Sequence, residues 1–221
     1  MARMISRRSV FSIGAGSALA AHPASAALLR TAPDTVGSGE ELVHRIAGGK
    51  SRGQVILLRG FANIFSLGMD ALRKELEAQG ITAEVRGSGS ATYLAKKLET
   101  QYRASSSNRP IILVGHSNGA DLAMKVGAEL EKTGIPVALM ITFDPTINGP
   151  VTKNVRRAIN FHTTERGMWA PVTAVAGYRG RLINKNVSKE GPTAGHVNHF
   201  NIDKNKTLHA EAIKEIKRAL R

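Results

Sequence analysis

Cysteine is absent from the 221 residues of this sequence, which excludes both a disulfide framework and a thiolate metal site. Aromatic residues are also scarce, at 5 %, and Trp169 is the single tryptophan. Few side chains are therefore available to stack on bases, and no nucleic-acid motif is present, so we expect no specific nucleic-acid partner. The remaining composition, 42 % hydrophobic and 22 % charged, is typical of one globular domain with its own core.

The N-terminal residues have the pattern of an export signal. Residues 6–11 read Ser-Arg-Arg-Ser-Val-Phe, a twin-arginine pattern, and residues 24–26 read Ala-Ser-Ala, a signal-peptidase site. The mildly apolar stretch between them is too short and too rich in small residues to span a bilayer, so we expect no transmembrane segment. We predict a twin-arginine-type signal peptide over 1–26, an N-terminal arm over 27–45 and one folded domain over 46–221. The expected location is periplasmic or secreted.

The net charge of +14 is unevenly distributed. Residues 151–190 contain eight basic residues against two acidic ones. A basic face attracts anionic partners, here a component of the cell envelope, although a solvated surface that favours solubility is the simpler interpretation. The basic residues are Lys153, Arg156, Arg157, Arg166, Arg179, Arg181, Lys185 and Lys189.

Apolar runs and helical patterns alternate along the folded part of the chain. This alternation predicts right-handed β-α-β units, and hence an α/β fold with a mainly parallel sheet and helices on both faces. In the helical pattern after the third run, Asp121 and Lys125 are expected on the polar side. The runs that predict strands are 55–58, 81–85, 111–114, 137–143, 157–162 and 181–184, and the helical patterns cover about 67–76, 94–102, 122–130 and the residues from 207.

The third apolar run leads directly into a G-x-S-x-G motif. Residues 115–119 read Gly-His-Ser-Asn-Gly, with a strand pattern before them and a helical pattern after them. This order is typical of a nucleophile elbow, in which a tight turn exposes the serine hydroxyl above the sheet. We predict that the glycines allow the strained turn, that Ser117 is a nucleophile and that the N–H of Asn118 faces an oxyanion.

A serine nucleophile needs a base, and the base needs an acid that fixes its tautomer. Asp144 follows the next strand, at the edge of the sheet where such folds keep their catalytic groups, and Glu165 is the alternative acid. The loop before the last helix supplies two histidines, of which His199 is preferred as the base and His196 is the alternative. Their spacing also suits a metal, but no carboxylate accompanies them, so we expect neither a metal nor another cofactor.

The second donor of an oxyanion hole is expected in the loop after the first strand, where residues 59–66 read Arg-Gly-Phe-Ala-Asn-Ile-Phe-Ser. Gly60 lets the backbone approach a ligand closely. The N–H of Phe61 or of Ala62 is the candidate donor.

The chain resembles the α/β-hydrolase superfamily and, within it, the small bacterial lipase- or thioesterase-like serine hydrolases. The resemblance rests on the motif at 115–119, on Asp144 after the following strand and on His199 before the last helix, and it covers about residues 50–220. It implies a triad of Ser117, Asp144 and His199, with an oxyanion hole from Asn118 and a residue near Phe61.

These observations predict an exported serine hydrolase that cleaves a carboxylic ester or thioester of a small molecule through an acyl-Ser117 intermediate. The alternative is a non-catalytic protein of the same fold that binds an anionic envelope component through the 151–190 segment.

Overall fold

The computed structural model describes residues 52–60, 67–147, 149–165 and 168–221. The predicted signal peptide, the predicted arm and Phe61 lie outside the described residues. Within these ranges, no helix combines the length and apolar character needed to cross a bilayer.

The described residues form six strands and four α-helices that alternate along most of the chain. Each strand runs parallel to its neighbours, in the order β2-β1-β3-β4-β5-β6. The predicted α/β fold with a parallel sheet is therefore confirmed, and the sheet is parallel throughout. The strands are β1 (Gln54–Leu58), β2 (Ala83–Arg86), β3 (Ile111–His116), β4 (Val137–Phe143), β5 (Arg157–His162) and β6 (Arg181–Asn186). The helices are α1 (Gly68–Glu77), α2 (Ala91–Ala104), α3 (Asn118–Lys132) and α4 (Lys206–Ala219).

Burial on both faces explains why the central strands read as continuous apolar runs. Every residue of β1 and β3 is buried, whereas β6, at the edge of the sheet, contains no fully buried residue. One face of the sheet packs against apolar side chains of α1 and α4, and the other packs against those of α2 and α3. The helices therefore cover both faces, as predicted.

The strand order places a crevice suited to a ligand at the carboxyl ends of β1 and β3. From β1 the chain moves outward to β2 and then returns to the other side of β1 to form β3. At such a reversal, the connections after the two central strands leave on opposite faces and open a crevice at the carboxyl ends of the strands. The residues that follow β1 and β3 line this crevice, and Ser117 is the first residue after β3.

Side-chain caps fix the start of two of the helices. The Ser90 hydroxyl accepts a hydrogen bond from the Tyr93 N–H at the start of α2. The Asn205 side chain accepts from the N–H groups of Thr207 and Leu208 at the start of α4. Because the first N–H groups of a helix have no partner within it, these caps define where α2 and α4 begin.

Candidate active site

Ser117 occupies a strained turn between β3 and α3. Its backbone has φ 55° and ψ −127°, outside the regions that residues with a side chain usually adopt. The turn is held on both sides: the Ser117 N–H donates to the Phe143 carbonyl at 2.9 Å, and the Ser117 carbonyl accepts from the N–H of Ala120 at 2.9 Å. A strained residue that its surroundings hold so firmly is typical of a functional site. The geometry is that of a nucleophile elbow.

The two glycines of the motif allow close packing, whereas the strained backbone angle belongs to Ser117. A Cβ on Gly119 would lie 2.2 Å from the Leu58 carbonyl oxygen, and one on Gly115 would lie 2.3 Å from the Gly119 carbonyl oxygen. Neither glycine has a positive φ. The glycines therefore allow the turn through close packing and not through their own backbone angles. They are required because β1, the turn and α3 approach one another too closely for a side chain.

Asn118 is the first residue of α3, so its N–H belongs to the helix end that attracts negative charge. Its side-chain oxygen accepts a hydrogen bond from the Thr146 hydroxyl at 3.0 Å. This contact connects the start of α3 to the segment that follows β4. The position suits the predicted oxyanion donor, while its expected counterpart, Phe61, is not among the described residues.

Asp121 anchors the same segment from the first turn of α3. Its Oδ1 accepts from the N–H groups of Thr146, at 2.9 Å, and Ile147, at 3.0 Å, and its Oδ2 accepts from the Thr146 hydroxyl. Asp121 is buried, so its predicted place on the solvent-facing side of the helix is wrong. The segment after β4 returns over the start of α3 and covers this carboxylate.

Asp144 directly follows β4 and is fully buried. Its φ of 45° is also in the left-handed region, and its N–H donates to the Phe161 carbonyl at 2.9 Å. The carboxylate accepts two hydrogen bonds from Thr163, from the N–H at 2.8 Å and from the hydroxyl at 3.0 Å. These contacts hold one edge of the carboxylate and direct it toward the neighbouring histidine.

His199 is the histidine that meets Asp144. Its Nδ1 lies 3.4 Å from the Asp144 Oδ2, and the residue is 8 % exposed. A hydrogen at Nδ1 that donates to the carboxylate leaves Nε2 free to accept a proton from a serine hydroxyl. The separation is long for a hydrogen bond, as is common for catalytic contacts before a substrate is bound.

The two alternative residues occupy different surroundings. His196 is exposed, and its backbone carbonyl accepts from the Asn201 amide at 3.1 Å. Glu165 lies in the turn after β5, where its carbonyl accepts from the Met168 N–H at 2.8 Å. The structure thus brings His199 to Asp144 and leaves His196 at the surface.

Three aromatic rings surround the imidazole of His199. The Trp169 indole stacks on it with ring centroids 4.0 Å apart and an angle of 9° between the planes. The His116 ring lies at 5.0 Å, tilted by 39°, and the Phe200 ring approaches edge-on at 5.6 Å. The sequence offered no signal for Trp169, because it belongs to an irregular segment 30 residues before its partner.

His116, inside the elbow motif, holds the backbone of the histidine loop. Its Nε2–H donates to the His199 carbonyl at 3.0 Å, and its Nδ1 lies 3.7 Å from the Asp203 Oδ2. Burial lowers the pKa of His116 to about 3, so its ring is neutral and one nitrogen carries no proton. His116 is therefore suited to position His199 and not to transfer a proton itself.

Asp203 connects this loop to α1 and α4. It is fully buried, its Oδ2 accepts from the Gly68 N–H at 3.1 Å, and its carbonyl accepts from the His209 Nε2–H at 2.6 Å. Burial raises the pKa of the Asp203 carboxyl to about 6. Beyond it, the His209 Nδ1 lies 3.0 Å from the Glu75 Oε2. Sequence analysis assigned no role to Asp203 or His209, because neither is part of a local motif.

The site as a whole combines three groups at one edge of the sheet. Ser117 follows β3, Asp144 follows β4, and His199 lies in the loop between β6 and α4. A serine hydroxyl in a tight turn, an imidazole and a buried carboxylate are the groups of acyl-transfer chemistry.

Comparisons with known proteins agree with this architecture. The family profile described as Thioesterase domain matches residues 59–161. No curated protein matches the chain. Among solved structures, the RedJ thioesterase from the prodiginine biosynthetic pathway in Streptomyces coelicolor is similar, with 13 % identity, a TM-score of 0.50, and coverage of 74 % of this chain and 90 % of that one.

Est1E from Butyrivibrio proteoclasticus is also similar, with 13 % identity, a TM-score of 0.49, and coverage of 77 % of this chain and 89 % of that one. At such identities a structural match concerns the fold. The profile match supports a hydrolase of the thioesterase type. The chain thus has the fold of the α/β-hydrolases, and its residues 59–161 match the thioesterase profile of that superfamily.

Proposed function

We propose that this protein is an exported serine hydrolase that cleaves an acyl ester or thioester through an acyl-Ser117 intermediate. The observation that carries the proposal is the strained turn at Ser117, which begins α3 at the same sheet edge where His199 meets Asp144. A turn-forming serine with only a capping role would not need this conformation. The export signal rests on the sequence of residues 1–26.

In the proposed reaction, the Ser117 Oγ attacks the acyl carbon while His199 Nε2 takes its proton. Asp144 accepts from His199 Nδ1 and stabilises the imidazolium that forms. The negative charge on the acyl oxygen faces the N–H of Asn118 at the start of α3. His199 then gives the proton to the departing alcohol or thiol, and water releases the acyl group by the same steps in reverse.

The exposed apolar side chains support an acyl substrate. Among the described residues, the large hydrophobic side chains that are exposed each follow the carboxyl end of a different strand. These ends lie on the sheet edge where Ser117 is located, because all strands are parallel. Exposed apolar surface concentrated on one edge is typical of a binding site for an apolar group. The residues are Leu67, Tyr93, Ile147, Met168 and Phe200.

Covalent labelling tests the proposed mechanism directly. A fluorophosphonate probe reacts only with an activated serine, so we expect it to label the peptide that contains Ser117. The Ser117→Ala variant should not be labelled and should lose about 10⁶-fold in turnover. Absence of labelling in the folded wild-type protein would contradict the hydrolase and favour the non-catalytic binding protein.

Acyl esters and thioesters of graded chain length test the substrate class. Ile147 follows β4, which is adjacent to β3, the strand that leads into Ser117. Tyr93 follows β2, an outermost strand of the sheet that is two positions from β3. We expect Ile147→Ser to lower kcat/KM for long acyl chains by roughly tenfold and to spare the shortest ester, because each buried CH₂ contributes about 0.8 kcal/mol. Tyr93→Ser, two strands away from β3, is the matched comparison and should have a clearly smaller effect on the long chains. Equal effects of both variants would contradict an acyl site beside β4.

A further inference from the structure

Trp169 stacks directly on His199, the candidate base, although it belongs to no sequence motif. The indole and imidazole planes are nearly parallel, 9° apart, with centroids separated by 4.0 Å. Stacking over the whole ring restricts tilting of the imidazole out of its plane. Rotation of the imidazole within its own plane is limited by Asp144, whose Oδ2 lies 3.4 Å from the His199 Nδ1. The two contacts together hold both the plane and the direction of the ring.

The backbone of Trp169 is built into this position. Its φ of 51° and that of Thr164, 52°, are both left-handed, which is uncommon for bulky or β-branched residues. The Thr164 N–H donates to the Trp169 carbonyl at 3.2 Å, and the Asn160 side-chain amide donates to the next carbonyl, that of Ala170. A strained backbone conformation that hydrogen bonds hold in place is typical of a functional site.

We propose that Trp169 is a positioning residue for His199, holding the imidazole plane and stabilising the imidazolium that forms when Ser117 loses its proton. The inference rests on the proposed function of Ser117 and His199. The electron-rich face of an indole attracts a cation placed over it, and tryptophan is the strongest side chain in this respect. The positive charge appears only after proton transfer, so the stack favours the transition state over the resting state.

The groups around His199 leave this role to the indole. Asp144 faces its Nδ1, and the His116 ring, with its centroid 5.0 Å away, is neutral because burial lowers the pKa of His116 to about 3. Asp203 and Lys204 lie further along the same loop, with Asp203 3.7 Å from His116. The Phe200 ring is nearly perpendicular to the imidazole and 5.6 Å away, so Trp169, stacked at 4.0 Å, presents the nearest uncharged aromatic face to a positive imidazole.

The first test compares Trp169→Leu with Trp169→Phe. We expect Trp169→Leu to lower kcat by about tenfold with little change in KM, and to move the acidic limb of the pH–rate profile toward lower pH by roughly half a unit to one unit. Trp169→Phe keeps an aromatic face and should recover part of both effects. A Trp169→Leu protein with wild-type kcat and pH profile would overturn the proposal.

The second test needs no activity. Because Trp169 is the single tryptophan, its fluorescence reports the stack alone, and a protonated imidazole in contact with an indole quenches it. We expect the emission to fall on acidification in one transition, and His199→Gln to abolish this transition. The control His196→Gln should retain it.

A transition that persists in His199→Gln would belong to another group such as Asp203 and would overturn the role of Trp169. The two proposals fail separately: missing fluorophosphonate labelling contradicts the hydrolase, whereas a labelled protein without the His199-dependent emission change contradicts only the positioning role.

Discussion

At the scale of single residues, the site depends on which histidine meets the buried carboxylate. His199 lies against Asp144 and under the Trp169 indole, whereas His196 is exposed three residues earlier. We expect His199→Ala to cost nearly as much turnover as Ser117→Ala, because members of a triad act as a unit. His196→Ala should cost roughly tenfold or less, through the position of the loop.

Turnover of both variants with the same ester, alongside their thermal unfolding, provides the measurement. An inactive His196→Ala protein beside an active His199→Ala protein would reverse the assignment.

The buried Asp203 gives a prediction for stability against pH. Its pKa is raised by burial to about 6 in the folded protein, so the folded state binds a proton that the unfolded state has already lost. The contribution of the Asp203 carboxyl to the free energy of unfolding therefore falls as the pH rises from about 4 to about 6. His116, with its pKa lowered to about 3, acts in the opposite direction over the same interval.

We expect Asp203→Asn to match wild-type stability near pH 4 and to exceed it by an amount of order 3 kcal/mol at pH 8, since an uncharged amide avoids the cost of burying a charge. The Asn side-chain oxygen can still accept from Gly68. Urea unfolding of both proteins at the two pH values measures the difference. A difference that does not change with pH would contradict burial of the Asp203 charge as its cause.

At the scale of elements, the β3-Ser117-α3 unit is where sequence and structure agree best, and for a local reason. The strand, the turn and the helix are consecutive, so the apolar run and the glycine spacing predict them without reference to the rest of the chain. Asp121 shows the limit of this reasoning. Helical periodicity placed it on the solvent side, but the segment after β4 returns to cover it.

The contacts that sequence analysis missed cross long distances along the chain. Trp169 and His199 are separated by 30 residues, and His116 contacts the His199 backbone 83 residues away. No periodicity or spacing rule reports such pairs. The place of His199 beside Asp144 was predictable because the loop before the last helix can reach back over the elbow, whereas Asp203 and His209 matter only through burial that the sequence does not reveal.

The close approach of β1 and α3 predicts a strong effect at Gly119. A methyl group there would overlap the Leu58 carbonyl oxygen at 2.2 Å, and backbone cannot move aside as a side chain can. We expect Gly119→Ala to destabilise the protein by about 3 kcal/mol or more. Gly89→Ala is the matched control, since a Cβ there meets nothing within 4 Å.

Chemical denaturation of the two variants compares them directly. Equal stability of both would contradict the packing argument for the second glycine of the motif.

At the scale of the whole molecule, the proposed location depends on the arginine pair in the leader. The twin-arginine receptor reads that pair as an address. We therefore expect replacement of Arg7 and Arg8 by lysine to leave an uncleaved precursor in the cytoplasm. Cell fractionation and the mass of the N-terminal peptide measure this outcome, with the wild-type chain as the control. Normal processing of the double variant would reject the twin-arginine route.

The order in which the site residues occur along the chain has a consequence for folding. The elbow is local to β3 and α3, but His199 reaches it only after β6 and α4 have docked, through contacts between residues 83 positions apart. Long-range contacts of a parallel sheet form slowly, because the entropy of closing large loops must be lost first. Catalytic competence should therefore appear late in folding, and an incomplete or half-folded chain would carry an exposed serine with no base to activate it.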